Sequence, residues 1–206
     1  MKKPVLLIIL FVMVALQGFS QKVRTLSGSI TSNTTLFNDT TYILDGYVFV
    51  KNNATLSIQP GTLIQGKKGT KATLIVTRNG RIEANGTANM PIVMTSDQSA
   101  GNRTKGDWGG LVILGKAIIN RPTDCSSCAG AAVAANEAGI QNAIEGDLDN
   151  ANGDGLYGGT DNSHSSGTLR YVRVEFAGTV ITPGNEINGL TFGGVGNGTK
   201  IEYVQV

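Results

Sequence analysis

From Tyr42 onward the apolar residues come in short alternating bursts: Val48 and Val50, Leu56 and Ile58, Leu63, Leu74 and Val76, Ile82, Ile92 and Met94. Period two over so few residues predicts short, half-buried β-strands. Between the bursts stand Asn52-Asn53, Pro60-Gly61, Asn79-Gly80, Asn85-Gly86 and Met90-Pro91. These residues supply a positive φ, or fix φ, where the chain must turn. The bursts also repeat as sets. Val48 to Leu56 lies over Leu74 to Ile82 at an offset of twenty-six, and Gly110-Leu111-Val112-Ile113-Leu114-Gly115 is echoed by Gly189-Leu190-Thr191-Phe192-Gly193. Leu169-Arg170-Tyr171-Val172-Arg173-Val174 returns thirty-two residues later as Ile201-Glu202-Tyr203-Val204-Gln205-Val206. Units of this length bury a continuous apolar column only by stacking on their neighbours. A hairpin sandwich would show two-residue turns and no long-range register.

The pattern therefore predicts an all-β chain: a right-handed parallel β-helix over residues 45–206, with residues 21–44 as an N-terminal cap or opening strand. Alternation places Val172, Val174 and Phe176 inside, with Tyr171, Arg173 and Glu175 outside. One coil on, Val204 and Val206 fall inside, Tyr203 and Gln205 outside. If these coils are neighbours, Tyr171 and Tyr203 lie about 4.8 Å apart on one outer face. The last strand stops in mid-pattern, with backbone groups and apolar core open. The expectation is a longer protein, or a partner that supplies the lid.

Composition adds the compartment. Residues 1–20 carry Lys2 and Lys3, an apolar run from Val5 to Leu16, and small residues around Gly18 and Ser20. That is the layout of a secretory signal peptide. A retained anchor is the alternative, but the run falls short of the roughly 20 apolar residues a span needs. No later segment could span a membrane, and no Cys stands at the cleavage point to take a lipid. Removing the leader takes two lysines from seventeen basic residues and leaves fifteen against fifteen acids. A neutral chain whose one basic cluster is Lys67, Lys68 and Lys71 is a poor partner for nucleic acid. That cluster reads as a solvated turn.

Longer stretches bear a resemblance. Asp107-Trp108-Gly109-Gly110-Leu111-Val112-Ile113-Leu114-Gly115-Lys116, Ile144-Glu145-Gly146, Tyr157-Gly158-Gly159, Ser166 to Gly178 and Glu186 to Gly196 resemble a family of secreted Bacteroidetes proteins. These are parallel β-helix proteins of the pectin-lyase-like type, many of them exported and some carrying a C-terminal sorting domain for type IX secretion. The resemblance covers nearly all of the mature chain, which lacks such a sorting domain. It implies export and a β-helix. The wider superfamily includes polysaccharide lyases and hydrolases, but the resemblance supplies no catalytic residues.

Candidate chemistry is sparse. No Lys or Arg stands between Arg121 and Arg170, whereas Asp124, Glu137, Glu145, Asp147, Asp149, Asp154 and Asp161 do. Within this polar insertion Asn150, Asn152, Asp154, Gly155 and Asp161 match positions one, three, five, six and twelve of a calcium loop, with the Leu156 carbonyl at seven. Asn at the first position and Asp at the twelfth depart from the template. Structural calcium and a solvated Asp/Asn/Gly loop are both open readings. Cys125 and Cys128 predict a small-loop disulfide in an exported chain, with free thiols, redox activity or metal as alternatives. Zinc would lack ligands, since His164 is the only histidine. His164, among Ser163, Ser165 and Ser166, reads as an exposed loop residue rather than a triad member. Trp108 is either a sugar platform or a wedge at a core corner.

Cleavage of a polysaccharide needs a base with a charge neutraliser, or paired carboxylates. Arg173 and Glu175 are the weak catalytic candidates, with Glu145, Glu202 and Arg170 near them. The expected function is a secreted or cell-surface protein with a structural or binding role, adhesion or glycan binding, through Tyr171, Arg173, Glu175 and Tyr203. Its partner would be a polysaccharide or a cell-surface protein. The alternatives are a polysaccharide lyase or glycoside hydrolase with its cleft against the acidic loop, and a passive spacer for a C-terminal module.

Overall fold

The structure, a computed structural model, describes residues 21–120, 141–146, 148 and 150–206. The predicted leader, Asp124, Cys125, Cys128, Glu137, Asp147 and Asp149 lie outside the described residues.

The chain winds into stacked coils. The first holds β1 (Lys22–Ile30) and β2 (Thr34–Leu36), and the second β3 (Thr40–Val50) and β4 (Thr55–Ile58). The third holds β5 (Leu63–Gly66), β6 (Thr73–Val76) and β7 (Arg81–Asn85). The fourth runs through β8 (Ile92–Ser96) and β9 (Gly110–Leu114), then the insertion with the small hairpin β10 (Asn142–Ala143) and β11 (Leu156–Tyr157). It closes with the first half of β12 (Gly167–Val174). The fifth uses the second half of β12, a hairpin of β13 (Val180–Thr182) and β14 (Asn185–Glu186), then β15 (Leu190–Gly193) and β16 (Lys200–Gln205).

Every contact between coils is parallel, and the strands form three faces. The first stacks 22–26, 40–44, β5, β8, 172–174 and 204–205. The second stacks 28–30, 47–50, β6, β9 and β15. The third stacks β2, β4, β7, 167–170 and 200–202. All three echoes in the sequence are literal neighbours: Val48 pairs with Leu74, Leu111 with Leu190, and Leu169 with Ile201. The parallel β-helix is therefore as expected. Residues 21–44 hold β1, β2 and the first part of β3, and β1 already stacks in parallel register on β3.

Each long strand turns a corner within itself. β1 and β3 pass from first face to second at Gly28 (φ 70°) and Gly46 (φ 72°), a left-handed conformation that glycine takes without a Cβ penalty. The column inside is built from alternate residues such as Leu44, Val48, Leu56, Ile64, Leu74, Ile82, Met94, Leu111 and Val172, all buried. Burying each such side chain is worth about 1.5–3 kcal/mol.

The second face corrects the half-buried reading. In β6 and β9 every residue is buried. Leu74, Val76, Leu111 and Ile113 join the inner column, while Ile75, Val112 and Leu114 join a second apolar cluster with Leu148, Ile181 and Ile187. Tyr47, Phe49, Ile144 and Tyr157 pack against that cluster. The insertion and the β13–β14 hairpin thus cover the outer side of one face, as a continuous apolar run in a strand requires.

Candidate functional site

The corner from third face to first carries the outer row. In the third coil this corner is a multi-residue turn from Gly86 to Pro91, but in the later coils a single residue makes it: Tyr171 (φ 47°) and Tyr203 (φ 53°). Arg170 pairs with Glu202 and Val172 with Val204, so the two tyrosines sit at equivalent places. A left-handed conformation costs an L-residue roughly 1–2 kcal/mol, which a glycine or asparagine would largely escape. What it gains is direction, because the corner throws both rings outward. They stack with centroids 4.4 Å apart and planes within 5°, an arrangement worth about 0.5–1.5 kcal/mol. Tyr203 is 66% exposed, with one ring face against Tyr171. The Arg170 guanidinium lies 5.5 Å from one ring centroid and 5.9 Å from the other.

The charges along this row are matched. Arg170 Nε stands 3.3 Å from Glu202 Oε2, and Arg173 is ion-paired to Glu175. The structure therefore brings Tyr171, Arg173, Glu175 and Tyr203 into one neighbourhood, with the two weak catalytic candidates bound to each other. One inward assignment is corrected. Phe176 adopts φ 57°, which breaks the alternation after Val174, and it is 39% exposed.

A concavity of about 550 Å³ lies between the insertion and the corner from second face to third, lined among others by Lys51, Thr77, Arg78, Gln141, Asn152 and Asp154. Here the residues of the calcium template meet other partners. Lys51 Nζ sits 2.6 Å from Asp154 Oδ2, and Asn150 Nδ2 donates to the same oxygen at 2.9 Å. Asn150 Oδ1 accepts from the Asn152 N–H, and Leu156 N–H bonds back to Gly153. Asp161 accepts from the Ser163 hydroxyl and N–H, and the Ser163 hydroxyl is the main reason its carboxyl falls below the usual range. Among the described residues no three His, Cys, Asp or Glu side chains gather to hold a metal. The insertion's Asp154 finds its cation in a lysine from the second coil.

The remaining candidates are structural. Trp108 is fully buried and donates its indole N–H to the Glu175 carbonyl at 2.8 Å, so it is the wedge and not the platform. A Cβ on Gly66 would come within 2.5 Å of Trp108, so the glycine makes room for the indole. Beside it Asp107 is buried and accepts from Ser96 Oγ, Thr104 N–H and Thr104 Oγ1, with Lys68 Nζ at 2.7 Å. Burial alone would push this carboxyl up, but those donors outweigh it and hold it well below the usual range. Lys67 pairs with Asp45, so two lysines of the basic turn are engaged.

His164 is half-buried rather than exposed. Desolvation, and then the charge of Lys116, push its pKa down. Ser166 Oγ lies 3.5 Å from His164 Nδ1 but donates to the Leu114 carbonyl at 3.1 Å. A hydroxyl committed to a backbone oxygen inside the fold is no activated nucleophile.

Sequence reasoning missed Lys51 and Arg78, since neither stands in the insertion they face. The signal was indirect: unbroken apolar runs in β6 and β9 announce that something covers this face, and a covering loop rich in acids calls for cations beneath it. No curated protein and no solved structure matches the chain. The parallel register, the three faces and a match to the family described as pectate-lyase like beta helix domain over residues 28–206 agree, and the chain belongs to that family.

Proposed function

We propose that the protein is exported, through the leader at residues 1–20, to the cell envelope or medium, and that it holds glycan on its outer surface without cleaving it. The observation that carries this reading is the pair of stacked tyrosines held outward from left-handed corners. Backbone strain of a few kcal/mol in total is only partly offset by the stacking, and strain of this kind collects where a side chain must be presented. An exposed phenol ring offers apolar area to the CH face of a sugar and a hydroxyl to its rim. Membership of a pectate-lyase-like β-helix family agrees with a carbohydrate partner.

Binding is favoured over cleavage because the charged groups are already engaged. Arg173 and Glu175 face each other, and the cleft carboxylate of Asp154 faces Lys51. Neither place offers the separated carboxylates of a hydrolase. The test is co-sedimentation with insoluble polysaccharides, together with an assay for released sugars. Binding should weaken about tenfold or more in Tyr203→Ala, the loss of roughly 1.4 kcal/mol, with no product formed. Equal binding by Tyr203→Ala, or products that vanish in Glu175→Gln, would overturn the proposal.

A further inference from the structure

The row also points to the class of glycan. Resting on the reading just given, we infer that it selects neutral polysaccharides over acidic ones. It carries two arginines and two glutamates, and each arginine is closed by a glutamate: Arg170 by Glu202, Arg173 by Glu175. A uronate or sulfate approaching Arg170 meets the Glu202 carboxylate on the same guanidinium. Displacing an exposed pair gives back at most about 1 kcal/mol, so the swap gains an acidic ligand nothing and leaves Glu202 as a like charge beside it. The four charges of the row cancel, so the row itself adds no net field to draw in an anion.

A neutral sugar loses nothing by this arrangement. Each closed pair presents carboxylate acceptors and guanidinium donors at fixed places, and a hydroxyl both donates and accepts. The hydroxyls of one pyranose can therefore bridge a pair without opening it. Its CH face meanwhile lies against the outward side of the stacked Tyr171 and Tyr203 rings. Arg170 lies within 6 Å of both ring centroids, so the polar and apolar halves of the site are adjacent.

Affinity electrophoresis of the full chain separates the cases, with neutral gels of β-glucan, xylan or mannan run beside polygalacturonate and alginate, with and without added salt. At least one neutral polymer should bind about tenfold tighter than either acidic one, and salt should leave that binding unchanged. Glu202→Gln, an exposed substitution that frees Arg170, should shift the preference toward the acidic polymers by about tenfold and make it salt-sensitive. Tighter binding of the acidic polymers by the unaltered chain, lost in salt, would sink the selectivity while leaving glycan binding intact. No retardation on any gel would sink both.

Discussion

On the second face Ile75, Val112 and Leu114 point outward from β6 and β9 and are covered by the insertion and the fifth-coil hairpin. At the corner between third and first faces Tyr171 and Tyr203 also point outward, and no loop covers them: Tyr203 is exposed, and Tyr171 is half-buried against it. The backbone is the same parallel stack in both places. What differs is the outward residue and what the chain does next. Where the outward positions are aliphatic, the chain leaves the coil after β9 and returns across them with Leu148 and Tyr157, and the fifth-coil hairpin adds Ile187. Where they are charged or aromatic, a one-residue corner carries the chain straight into the next strand. A solenoid thus separates stability from presentation: one face is buried twice over, and another is left free to meet a partner.

The sharpest way to break that comparison is a charge at equivalent outward positions. Val112→Asp places a carboxylate in the apolar cluster of Ile75, Leu114, Leu148 and Ile187, and should cost about 4 kcal/mol or more, enough to unfold many domains. Gln205→Asp, at an exposed outward position in register with Arg173, should change stability by about 0.5 kcal/mol or less. Urea denaturation of both, with Val112→Thr as a graded control, decides it. Similar losses in the two would mean that the second face is not a core.

Next in size is the anchor at the near edge of the covered face. Asp107 sits where the chain enters β9, and its carboxyl is held well below the usual range. Above the unfolded value near 3.9 both states are ionised and the full stabilisation is present. As pH falls below about 4, the unfolded chain takes up its proton first and that stabilisation is progressively lost. Asp107→Asn should remove this acid-side dependence and cost about 3 kcal/mol at neutral pH, since charge-assisted hydrogen bonds are lost. A melting temperature that falls just as steeply between pH 5 and pH 3 in the variant would assign the acid sensitivity elsewhere.

The two regions were unequally legible. The three echoes were visible as offsets and became neighbouring strands, because inward residues of a stack must repeat. The Tyr171–Tyr203 stack followed from the same register, at 4.4 Å where about 4.8 Å was expected. Phe176 was misplaced because alternation assumes an extended chain, and Phe176 itself takes a left-handed conformation that ends the strand pattern at that residue. The partnership of Lys51 with Asp154 was hidden because it joins residues 103 positions apart across an insertion with no register of its own. Polar contacts of this kind leave no period in a sequence, whereas stacked apolar contacts do.

The smallest expected effect bears hardest on the bare side. If Tyr203 is there to be presented rather than to hold the coil, replacing it with asparagine, which tolerates the left-handed corner, should leave stability within about 1 kcal/mol of the unaltered chain. Relief of backbone strain and loss of the stacked ring work against each other and nearly cancel. Glycan binding should still fall about tenfold, since nothing in asparagine replaces the outward aromatic ring. Urea denaturation beside affinity electrophoresis gives both numbers from one preparation. A loss of more than about 2 kcal/mol would show that the stacked rings act as a structural ladder, and the contrast between a covered face and a presenting corner would then be one of degree only.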